Sequence, residues 1–70
     1  MKPQILYVSE HNGRWEVRRC GRPLAIEDVF EDALKSARRL AVSAGSCGVP
    51  AELRIGHRDA SYEVEGVYSA

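Results

Sequence analysis

The sequence predicts an α+β fold of order β-β-α-β-β: a four-stranded, mainly antiparallel sheet with one amphipathic helix packed on one face. Three observations carry that expectation. An Asn-Gly pair separates two alternating stretches near the start, an alanine-rich stripe at helical spacing fills the middle, and a second alternating pair closes the chain.

"ILYVSE" and "RWEVRR" flank His11-Asn12-Gly13. Asn-Gly suits a two-residue type I′ hairpin turn, because both central residues need positive φ. A turn there sets His11 opposite Arg14, Glu10 opposite Trp15, Ser9 opposite Glu16, Val8 opposite Val17, Tyr7 opposite Arg18 and Leu6 opposite Arg19. Alternation then puts Leu6, Val8, Trp15 and Val17 on a core face, and Tyr7, Ser9, Arg14, Glu16 and Arg18 on a wet one. The single tryptophan therefore reads as a core peg in preference to a ligand platform.

"CGRP" closes this hairpin, and "EDVFEDALKSARRLAVSAG" follows. Asp28 with Glu31 three residues later makes a capping-box-like start, and Gly45 offers a left-handed stop. Between them Val29, Phe30, Ala33, Leu34, Ala37, Leu40, Ala41 and Ala44 share one side. Glu31, Asp32, Lys35, Ser36, Arg38, Arg39 and Ser43 share the other, and only Val42 breaks the division. Alanines along the centre of the stripe let the helix axis lie close to a sheet. Acids in the first turn and bases in the last two suit the helix dipole, and Glu31 with Lys35 adds a pair four residues apart.

"GSCGVPAE" reads as a loop, with two glycines, a proline and no periodicity. Beyond it "ELRIGHR" and "SYEVEGVY" alternate around "RDAS". A two-residue turn at Asp59-Ala60 would set Ile55 opposite Val64, His57 opposite Tyr62 and Arg54 opposite Glu65. Leu53, Ile55, Tyr62 and Val64 would then face the core, with the Arg54–Glu65 pair in water. Asp-Ala is a poorer tight turn than Asp-Gly, so this register is the less constrained of the two.

Length and composition narrow the function. The 70 residues make a single small domain, 1–70, without repeats or linkers. A chain of this size buries only about 60% of the surface its unfolded form exposes, so self-association is one route to stability. Ten basic residues balance ten acidic ones, which counts against a general polyanion binder, since nucleic-acid affinity draws on clustered cations. No apolar run is long enough for a secretory segment or a membrane span, and Cys20 and Cys47 have no spacing that demands pairing. A cytoplasmic protein with reduced thiols is the expectation.

The hairpin "HNGRWEVRR", the helix "EDALKSARRLA" and the later "LRIGHRDASYEVEGVY" together resemble the small bacterial proteins grouped as "domain of unknown function 2188". The resemblance runs from about Tyr7 to about Tyr68. Similar proteins usually read Arg-Asp-Gly at the last turn, where this chain has Ala60, and the loop 45–51 is long for the group. The resemblance implies a compact α+β fold with no assigned activity, so it transfers no catalytic residue.

The sequence offers little chemistry. "GSCG" lacks the Lys-Ser/Thr of a phosphate loop and follows a helix instead of opening one. His11, His57, Cys20 and Cys47 lack ligand-type spacing, so no metal or other cofactor is expected. A Cys47–His57 thiolate pair is conceivable, but a single Cys and a single His, each in a plausible structural position, match by chance too often to support catalysis. His57 beside Tyr62 reads better as a hydrogen-bonded boundary residue.

Charge distribution is more suggestive. Arg14, Arg18, Arg19 and Arg22 gather in the first hairpin, and Lys35, Arg38 and Arg39 on the helix. Dipole matching and solvated faces account for most of this. The remainder points to the sheet face that one helix cannot cover, with Tyr7, Arg14, Glu16, Arg18, Arg54 and Glu65 as its candidate residues. The expectation is a non-catalytic interaction or accessory module that uses this face for a protein partner or a homodimer. The alternative is single-stranded nucleic acid held by Tyr7 and the first-hairpin arginines. That reading wants more aromatics on the face than the first hairpin supplies.

Overall fold

The structure, a computed structural model, describes residues 3–69. The strands are β1 (Gln4–His11), β2 (Arg14–Arg19), β3 (Arg22–Glu27), β4 (Ala51–Gly56) and β5 (Tyr62–Tyr68), with the helix α1 (Phe30–Ser46) between β3 and β4. They form one five-stranded sheet of order β3-β2-β1-β4-β5. The α+β class and the single helix are as expected. The strand count and the pairing are not: there is a fifth strand, and β1 runs parallel to β4.

The first hairpin has the register read from Asn12-Gly13, with Tyr7 opposite Arg18, Val8 opposite Val17, Ser9 opposite Glu16, Glu10 opposite Trp15 and His11 opposite Arg14. Asn12 (φ 53°) and Gly13 (φ 80°) both take the left-handed conformation that the turn requires. The same device then recurs. Cys20 (φ 53°) and Gly21 (φ 77°) make a second tight turn, and Arg19 pairs with Arg22 across it. "CGRP" therefore starts another hairpin. Pro23 argues against a strand in sequence, since proline cannot donate to a ladder. An edge position, with a register shift between Val17 and Arg18, accommodates it.

The parallel pairing explains the long helix. Chain leaving β3 must cross the sheet and enter β4 beside β1 in β1's own direction, which a hairpin cannot do. The 17-residue α1 makes that crossing and packs against all five strands. Ala33, Ala37 and Ala41 are fully buried beneath it against Leu6, Val8, Val17, Ala51 and Leu53. Phe30, Leu34 and Ala44 pack at the margin, as does Trp15, which meets Phe30 edge-to-face at 4.9 Å between ring centroids. Trp15 belongs to the core side.

Both helix ends differ from expectation. β3 continues to Glu27, so the cap position falls on Val29, which makes no side-chain capping bond. The Asp28 carboxylate instead lies 3.6 Å from Arg14 Nε. At the other end Gly45 is helical and buried, with Ser69 backbone about 3.5 Å from where a Cβ would stand. The left-handed residue is Gly48 (φ 84°). Val49 N–H donates to the Ala44 carbonyl and Gly48 N–H to Gly45, the two bonds of a Schellman stop. This extension leaves no basic residue in the last turn.

The second hairpin is corrected by one residue. Arg54 lies opposite Val64, Ile55 opposite Glu63, and Gly56 opposite Tyr62, with a register shift between Leu53 and Arg54. The connection spans His57–Ser61, closed by His57 N–H on the Ser61 carbonyl and Ala60 N–H on His57. Asp59 caps it by accepting from Ser61 N–H at 3.0 Å. Between the turn and that shift the one-residue slip turns the β5 side chains over, while beyond it Leu53–Gly66, Glu52–Val67 and Ala51–Tyr68 keep the expected register. Tyr62 and Val64, expected in the core, stand on the opposite face and are exposed.

Candidate interaction face

Alternation from the buried positions defines the face away from α1. Its middle row crosses five strands: Pro23, Arg18, Tyr7, Arg54 and Val64. Glu16 with Ile26 and Ser9 lie to one side of that row, and Tyr62 lies level with Gly56. Glu52 with Val67 and Ile5 lie to the other. Arg14, at the start of β2, is on this face by register and reaches toward Asp28.

Five of the six candidate residues thus share the face: Tyr7, Arg14, Glu16, Arg18 and Arg54. Glu65 does not. The β5 irregularity leaves it out of the ladder and turns it toward the helix. There it accepts from Arg38 Nε at 3.1 Å and from the Tyr68 hydroxyl at 3.1 Å. The expected Arg54–Glu65 pair is therefore replaced on both sides, because Arg54 binds Glu52 two residues back on its own strand.

Charges on the face lie flat in matched pairs. Arg18 Nε donates to Glu16 at 2.8 Å, and Arg54 Nε donates to Glu52. Glu16 is almost wholly covered although no secondary-structure element lies over it. Its pairing with Arg18 offsets the cost of removing a carboxylate from water. The bond to Glu52 also holds the Arg54 guanidinium above its ordinary pKa.

The aromatics depend on a glycine and an arginine. The Tyr7 ring lies over Gly56, where a Cβ would meet ring atom Cε1 at 2.4 Å. Tyr62 meets Tyr7 edge-to-face at 6.4 Å, and Arg54 sits 4.4 Å above the Tyr62 ring centroid. Tyr62 is the site residue that sequence reading missed, since its placement hinges on the length of a loop. Around this centre Ile26, Val64 and Val67 are more than half exposed and Tyr62 nearly so.

No protein-family model, curated protein or solved structure matches the chain.

Other candidate chemistry is dispersed. Cys20 and Cys47 are free and exposed. His57 is exposed in the β4–β5 loop, with Nε2 3.3 Å from Glu63, and not beside Tyr62 on a core-facing side. Among the described residues no three His, Cys, Asp or Glu side chains gather in a way that could hold a metal ion, and no helix is long and apolar enough to cross a membrane. Two shallow recesses flank the face. One of about 540 Å³ is lined by Ile5, Tyr7, Arg18 and Cys20. The other, about 340 Å³, is lined by Ser9, Trp15, Gly56 and His57.

Proposed function

We propose that this chain is a small non-catalytic interaction module whose uncovered sheet face docks a protein surface. One observation carries the reading. Ile26, Val64 and Val67 are 53%, 51% and 64% exposed on a face whose Arg18 and Arg54 are already matched to Glu16 and Glu52. Exposed aliphatics beside fixed, neutralised charges suit a protein surface, where the apolar patch supplies burial and the charges supply register. Side chains held in place beforehand also lose less entropy on docking.

Single-stranded nucleic acid is the second reading, favoured by the arrival of Tyr62 beside Tyr7. Against it, one face of the Tyr62 ring is taken by Arg54, the Tyr7 ring lies down on Gly56, and Arg18 and Arg54 are paired with carboxylates. Base stacking needs open ring faces and phosphate needs free cations. The free thiols fit a reducing compartment, and the reading places the module in the cytoplasm.

The test is capture from native lysate with and without nuclease, using the parent chain and Val64→Asp. Nuclease-resistant capture that Val64→Asp abolishes supports protein docking. Salt-sensitive oligonucleotide binding that Arg18→Ala weakens would replace it with the second reading.

A further inference from the structure

We propose that the occupant of the uncovered face is a second copy of this chain, stacked face to face about a two-fold axis that runs across the strands. This inference deepens the docking reading and rests on it.

The face is complementary to itself. Its middle row is Pro23, Arg18, Tyr7, Arg54 and Val64, and the next row holds Ile26, Glu16, Ser9, Gly56 and Tyr62 across the same five strands. An isologous contact sets one row of the first copy on another row of the second. With the axis midway between these two rows, each strand lies over its own counterpart and the rows exchange. Arg18 then stands over Glu16 of the other copy, and Glu16 over its Arg18. Tyr7 meets Ser9, Val64 meets Tyr62, and Pro23 meets Ile26. Every charge on β2 in these rows finds its opposite, and both edge strands bring apolar side chains to apolar side chains. Aligned sheet packing rotates the layers by about 30°, which keeps this matching best at the centre of the face, where Arg18, Tyr7 and Glu16 lie on β2 and β1.

Size fits as well. Five strands about 4.8 Å apart and about six residues long at about 3.3 Å each give a face on the order of 500 Å² in projection. Side-chain relief carries the accessible area toward the roughly 800 Å² per partner of a standard interface. The sheet edges serve a second copy less well. Glu63 and Glu65 would oppose their own kind in a β5–β5 pairing, and Pro23 with its register shift interrupts β3.

Sedimentation equilibrium of the full chain tests the proposal, with circular dichroism to establish folding of each variant. The parent should be a dimer. Glu16→Arg and Arg18→Glu should each weaken association about tenfold or more, because like charges then face each other, and the double exchange should restore it to within about threefold. Glu16 is covered, so Val64→Asp, at an exposed position facing Tyr62, gives the same loss of dimer without a demand on packing. A strictly monomeric parent overturns the proposal, as does a dimer indifferent to all of these variants. A monomer that still captures another protein through Val64 removes the second copy and leaves the docking reading standing. A monomer with no such capture removes both.

Discussion

Ala60 holds φ 70° at the β4–β5 turn, a conformation that costs a residue with a Cβ about 1–2 kcal/mol relative to glycine. Ala60→Gly should therefore raise stability by about 1 kcal/mol, read as a shift in the urea midpoint. Gly56 is the reverse case. A Cβ there would stand among the Tyr7 ring atoms, so Gly56→Ala should drive the ring off the strand and lower stability by about 1–3 kcal/mol. Loss of the Tyr7–Tyr62 ring contact in NMR spectra would report that displacement. Leu53 is fully buried between α1 and the sheet, and Leu53→Ala should cost about 2–5 kcal/mol, enough to unfold much of so small a domain at 37 °C. Asn12-Gly13 announced its turn in sequence because the pair has a single strong preference. Cys20-Gly21 takes the same conformation and gave no such signal, because cysteine is not a residue chosen for positive φ.

The helix and the first hairpin were readable from periodicity, since each buries one clear face. β3 was not. It is short, lies at an edge, begins beside a proline and alternates weakly over "RPLAIE", so local pattern could not separate it from a loop. The first half of β5, Tyr62 to Val64, has its faces reversed, because five loop residues and an irregular ladder at Glu65 replace a two-residue turn. The consequence for the candidate face was large: it gained Tyr62 and Val64 and lost Glu65. Glu65 instead joins α1 to β5 through Arg38 and Tyr68. Burial, then the neighbouring Glu65 carboxylate, raise the Tyr68 pKa above the ordinary 10.0. The neutral phenol is favoured in the fold, so its contribution is whole below that ordinary value and is lost as pH rises through the raised one. Stability should fall as pH rises above about 10, and Tyr68→Phe should flatten that limb in urea titrations.

One helix over five strands leaves the molecule with a sealed side and an open side, and the protein-docking account follows from that inequality. The sealed side carries Leu6, Val8, Val17 and Leu53 against an alanine surface. The open side carries aliphatics, two tyrosines and paired charges, and no element among the described residues is laid over them. The whole reading turns on which way β5 faces. Nuclear Overhauser contacts from the Tyr62 ring and the Val64 methyls decide it most directly. Contacts from Tyr62 to the Tyr7 ring and the Arg54 side chain, with none from either residue to the methyls of Ala33, Ala37 or Ala41, are the expected result. Contacts from Tyr62 or Val64 to those helix methyls would put β5 in the opposite register and strip the open face of the residues that make it a docking surface.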